Sequence, residues 1–170
     1  MLLGGRSGPY FERPAAWFGY VWLPVLVCLC VISRESTDSF ASEYTSGPLR
    51  HAFEYLFGPV TPEHWDVVHH YMRKTGHFLG YGFTGLSWLR AWLLTWLAPL
   101  RLGSAWSWRW FAVYMGLLCT TLTATVDELH QTYIPSRTGL VSDAWLDTAG
   151  AAALISVLLL FCAMGDRRRP

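Results

Sequence analysis

At 170 residues the chain has room for one domain and little else. Only 15% of the residues are charged and 52% are apolar, with ten tryptophans, whereas a soluble domain carries about a quarter charged residues. That balance fits lipid as the solvent, and a net charge of +1 gives no reason to expect a nucleic-acid partner.

Residues 1–14 are short, basic (Arg6, Arg13) and rich in Gly and Pro, and read as a frayed cytoplasmic end. The chain is then uncharged from Ala15 to Ser33, about the ~20 residues that cross hydrocarbon. No small-x-small cleavage site follows, so this run reads as an uncleaved membrane helix with Pro24 tolerated as a kink. Arg34 to Lys74 is a polar interval carrying both signs of charge. Within it Glu35-Ser-Thr-Asp and Glu43-Tyr-Thr-Ser-Gly-Pro read as turns. Pro48 opens a short helix closed by Gly58-Pro59, and Thr61 caps a second one with Pro62 at its first position. Trp65, Val68 and Met72 fall on one face of that second helix. Both helices are expected to lie in the membrane interface.

Three more membrane spans follow. The second, over 77–98, is interrupted by Arg90, whose long stem can snorkel to the far surface. The third covers 108–126 and the fourth 144–164, with Gly150 to Ala153 small enough for close helix packing. The expected fold is therefore all-α, a polytopic integral membrane protein with four transmembrane helices and short interfacial helices in the first outer loop. It forms a single domain over residues 1–170. All four cysteines (Cys28, Cys30, Cys119, Cys162) fall inside the apolar runs and read as small fillers rather than a zinc or disulfide framework.

With four spans, Arg6, Arg13, Arg101, Arg109 and Arg167 to Arg169 share one side, while most acids and all six histidines share the other. The basic side is expected to be cytoplasmic, with both termini inside. The polar loops then face outwards from a bacterial inner or plasma membrane.

Ionisable groups at a membrane boundary are costly to desolvate and mark a site or its pairing partner. Lys74, His77 and Tyr81 share one helical face at the outer end of the second span. Glu128 and Gln131 share a face where the third span emerges, and Asp143 and Asp147 share one at the start of the fourth. Ile134-Pro135-Ser136-Arg137 is the rigid turn between them. His77 and Glu128 are the first candidates for proton transfer, with Asp143 beside them. Each residue has a plainer reading as well. Arg137 with Asp143 or Glu128 can be a structural ion pair, Lys74 a headgroup anchor and Tyr81 packing; Gln131 and Asp147 can be interhelical hydrogen-bond glue. Asp127 and His130 carry less weight. Histidines crowd this side (His64, His69, His70, His77, His130), but no H-E-x-x-H motif is present and no metal or other cofactor is expected. Ser136 and Ser142 lack the setting of a serine nucleophile.

Three blocks together resemble the VanZ-like membrane proteins, associated with teicoplanin resistance. Their motifs K-x-x-H-x-x-x-Y, E-x-x-Q-x-x-x-P-x-R and D-x-x-x-N-x-x-G correspond to Lys74–His77–Tyr81, Glu128–Gln131–Pro135–Arg137 and Asp143–Asp147–Gly150. The match covers roughly residues 70–160 and departs at Asp147, where the family has asparagine. The resemblance implies a cell-envelope role and no particular reaction. One reading is a site for an anionic membrane lipid or a lipid-linked cell-wall precursor. Lys74 and Arg137 then hold phosphate or carboxylate, Glu128, His77 and Asp143 supply acid–base chemistry, and Tyr81, Gln131 and Asp147 orient them. A second is a non-catalytic accessory module that binds lipid or a partner; a third, weaker one is a proton or ion pathway through His77, Glu128 and Asp147.

Overall fold

The computed structural model describes residues 14–95 and 105–166, and within them it is all helix and turn. Five α-helices follow one another: α1 (Pro14–Glu35), α2 (Ser42–Phe57), α3 (Pro62–Leu94), α4 (Ala105–Gln131) and α5 (Val141–Asp166), with one 3-10 turn at Asp38–Phe40. Arg6, Arg13, Arg101 and the terminal arginines lie outside the described residues, as does the end of the span expected over 77–98.

The helix α3 is the axis of the bundle. It packs against α1, α4 and α5, and α4 packs in turn against α5. Small residues let α3 and α5 approach closely. A Cβ at Gly85 would stand 2.6 Å from that of Ala151, and one at Gly150 would collide with the carbonyl oxygen of Phe78. Val21, Val25 and Ala91 form the α1–α3 core, while Leu89, Ala112 and Ile155 join α3, α4 and α5.

Among the described residues three helices are long and apolar enough to cross a membrane: Ala15–Glu35, Ser107–Gln131 and Val141–Met164. The fourth expected crossing does not reach that standard. The physical reason is its inner position. α3 buries Tyr81, Gly82, Thr84 and Gly85 against its neighbours, so its small and polar residues meet protein where α1 and α5 show Val27, Leu158 and Phe161 to the outside.

Arg90 has partners on α1. Its Nη1 donates to the carbonyl of Tyr20 at 2.9 Å and of Val21 at 3.2 Å, and its guanidinium lies over the Tyr20 ring. Pro24, inside α1, has no N–H to offer the Tyr20 carbonyl one turn earlier, and Arg90 supplies that donor from α3. The polar interruption of one helix thus repairs the backbone break in another.

The polar interval after α1 also differs from expectation. α2 starts at Ser42, so Glu43 to Pro48 is helix rather than turn, with Pro48 inside it. Tertiary contacts override the proline: Trp65 Nε1 donates to Ser46 Oγ at 2.7 Å, and His69 reaches Ser42 and Thr45. The second helix is capped by Thr61 as expected, but it is not short and continues unbroken into the bundle. Its buried face is Trp65 and His69, whose rings stack at 5.4 Å, while Met72 is exposed.

Candidate functional site

The chain runs up and down, so the C-terminal ends of α1 and α4 meet the N-terminal ends of α3 and α5 at one end of the bundle. A polar cavity of about 470 Å³ lies there. Arg73, Lys74 and Arg137 line it against the carboxylates of Asp66 and Asp143, with His69, His70 and His77 around them. Lys74 Nζ is 2.5 Å from Asp143 Oδ1, an ion pair joining α3 to α5. Arg137 pairs with neither Asp143 nor Glu128. Its Nη2 donates to the backbone carbonyl of Glu35 at 2.5 Å, at the end of α1, and to that of Thr37 at 3.0 Å, which also accepts the Phe40 N–H. Ser136 reinforces this tie through a hydrogen bond to Asp38. Partial burial, with Arg73 nearby, pulls the Arg137 pKa below its ordinary value; as an arginine it remains charged.

His77 finds its carboxylate on α5. Its Nδ1 is 3.6 Å from Oδ1 of Asp147, an ion-pair distance too long for a good hydrogen bond. Asp147 is fully buried, and neither of its oxygens has a hydrogen-bond partner among the described residues. The His77 ring also stacks on that of Tyr81.

Tyr81 reaches a different acid. Its hydroxyl donates to Asp127 Oδ2 at 2.9 Å, and Gln131 Nε2 donates to the same oxygen at 3.1 Å. Asp127, which carries little weight in the sequence pattern, is therefore the group that ties the Lys74–Tyr81 face of α3 to Gln131 on α4. The signal was present: Asp127 and Gln131 are four apart and share a helical face as well as Glu128 and Gln131 do. His130 likewise has a specific partner, with Nδ1 3.1 Å from Ser36 Oγ just past the end of α1. Arg73 and His69 line the cavity without belonging to any of the three motifs.

Glu128 stands apart. Its Oε2 accepts the backbone N–H of Leu140 at 2.8 Å, fixing the turn that leads into α5. It lines a separate groove of about 350 Å³ between α4 and α5 and not the basic cavity. Of the expected site residues, Lys74, His77, Gln131, Arg137 and Asp143 line one cavity, Tyr81 and Asp147 support it from beneath, and Glu128 faces the α4–α5 side.

The described residues form a small helical bundle with three helices long and apolar enough to cross a membrane and a charged cluster at one end. The family model described as VanZ/LLP1 matches residues 18–162, and the chain belongs to that family. No curated protein and no solved structure gives a match.

Proposed function

We propose that this VanZ/LLP1 protein binds the anionic head group of a membrane lipid or lipid-linked cell-wall intermediate at the basic cavity. The carrying observation is the convergence of Arg73, Lys74 and Arg137 on one cavity at a bundle end, with three histidines beside them. A head group there gains charge-assisted hydrogen bonds that a neutral lipid cannot make. In this reading α3 is the inner one of four crossings, the termini lie in the cytoplasm and the cavity opens outside a bacterial inner or plasma membrane. If a reaction occurs, His77 is the proton carrier: Asp147 faces Nδ1, which leaves the other ring nitrogen for the ligand. Asp143 holds Lys74 in place, Tyr81 and Gln131 orient the floor through Asp127, and Glu128 positions α5.

A non-catalytic binding module is the second reading, and one observation favours it. Lys74 is spent on Asp143, Arg137 on the carbonyls of Glu35 and Thr37 at and just past the end of α1, and Glu128 on a backbone N–H, so the cluster also knits the bundle end together. Identification of co-purified lipids by native mass spectrometry tests the shared core of both readings. An anionic lipid should accompany the wild type and be depleted in Arg137→Ala and Lys74→Ala. Equal lipid content in all three proteins refutes the head-group site. His77→Ala that binds the lipid but loses cellular function supports catalysis; full function in His77→Ala removes it.

A further inference from the structure

A second, larger concavity lies beside the basic cavity. α1 and α4 both lean on α3 without packing along each other, which leaves a groove of about 790 Å³ between them. Its walls are apolar, with Leu29 and Ile32 from α1, Leu122 and Val126 from α4, and Trp88 of α3 among them. Ser36, Thr37, Asp127 and His130 stand together at the upper end; lower down the polar side chains are Ser33 and Thr123, and the Thr123 hydroxyl is turned onto the Cys119 carbonyl of its own helix. From Cys119 to His130 the groove follows ~17 Å of α4, close to the ~15 Å of hydrocarbon in one leaflet.

A small neck-like space of about 20 Å³ lies between the two sites. It shares His77 and Gln131 with the basic cavity and Ile32, Ser36 and Asp127 with the groove. Gly76 and Gly80 line it, and a Cβ built on either would meet nothing within 4 Å. The wall of the neck on the α1 side is the segment that Arg137 holds by the carbonyls of Glu35 and Thr37. An anion is a stronger acceptor for a guanidinium than a backbone carbonyl. A head group that takes Arg137 therefore also loosens the wall that separates cavity from groove.

We infer that the α1–α4 groove holds the hydrocarbon tail of the same lipid whose anionic head occupies the basic cavity, so that the ligand enters sideways from the bilayer. The inference rests on the head-group reading above and adds its substrate class: a long-chain amphiphile rather than a soluble anion. Polarity decides the occupant. The groove is mainly apolar along its length, and its acid and histidine, Asp127 and His130, stand at the end nearest the basic cavity, which is the pattern of a single-headed lipid. The α4–α5 groove shares Leu140 with the cavity, whereas the α1–α4 groove is related to it only through the small space between them, so the α4–α5 groove serves as the comparison.

Two probes separate this inference from the head-group reading: dioleoyl phosphatidic acid and the soluble glycerol 3-phosphate, both titrated against the full chain in detergent micelles. Leu122→Trp and Thr123→Phe should fill the groove. They are expected to weaken the long-chain probe about tenfold or more, the cost of ~1.4 kcal/mol per decade, and to leave glycerol 3-phosphate unchanged. Arg137→Ala should weaken both. Long-chain affinity equal to wild type in both filled variants overturns the tail groove and leaves the head-group site standing, whereas a wild type that binds neither probe overturns both. Phosphatidic acid with a diazirine at the chain end gives a readout independent of how the variants fold. Labels should concentrate on Leu29–Ser33 and Leu122–Val126 of the wild type. Labels spread over the outer face of α5, or gathered in the α4–α5 groove, overturn the inference.

Discussion

His77→Gln should be far more damaging in the natural sequence than beside Asp147→Asn. Asp147 is fully buried, its oxygens lack hydrogen bonds among the described residues, and the His77 imidazole at 3.6 Å is its ion-pair partner. Two unit charges at that distance attract by roughly 4–5 kcal/mol at an effective dielectric of about 20. Desolvation offsets much of this, and the geometry is too long for a strong hydrogen bond, so a net coupling of about 1–2 kcal/mol is expected. Removing His77 strands a buried carboxylate; with asparagine at 147 there is no charge to strand. The assay is a double-mutant cycle on unfolding in detergent, followed by tryptophan fluorescence. Equal losses in the two backgrounds, with coupling below ~0.5 kcal/mol, would refute the pairing.

Gly85→Ala places a methyl 2.6 Å from the Ala151 Cβ, so α3 and α5 must part by about 1 Å to restore normal contact. Its expected cost is ~1–3 kcal/mol, read as a lower unfolding midpoint; an unchanged midpoint contradicts the close α3–α5 seam. Arg90→Ala should destabilise the natural chain more than it does beside Pro24→Ala, because alanine restores an N–H for the Tyr20 carbonyl. The same unfolding assay checks it, and equal effects in both backgrounds argue against the cross-helix repair. Acid should weaken the α2–α3 packing through His69. Burial against Trp65, with Arg73 adding to it and Asp66 opposing, holds its pKa below the usual 6.5. The unfolded chain therefore binds more protons in that window, so the contribution is complete above about pH 6.5 and lost as pH falls through the folded value. His69→Gln should flatten this part of the pH–stability curve, and an unaltered curve would contradict it.

Much of the fold could be read from local pattern. The apolar run after residue 14 and the arginine-free stretches of α4 and α5 became helices near their expected bounds. Thr61-Pro62 capped α3, and Pro135 lay in the turn after α4. Such features depend on composition and on neighbours within one or two turns, which the chain displays directly. The membership of Lys74, His77, Gln131, Arg137 and Asp143 in one cavity could be anticipated from motif order and helical spacing. Their individual partners could not.

Those partners depend on how helices rotate about their axes and how closely they approach. Adjacent residues on α4 point about 100° apart, so a small rotation decides whether Asp127 or Glu128 faces α3. The bundle turned Asp127 inward to Tyr81 and left Glu128 to hold the backbone before α5. The close α3–α5 seam set His77 against Asp147, and the proline gap in α1 gave Arg90 a carbonyl partner. Sequence thus determined the helices, their order and the end of the bundle where charge collects. Tertiary structure alone decided which charges meet, because pairing across helices is a property of packing distance and not of spacing along the chain.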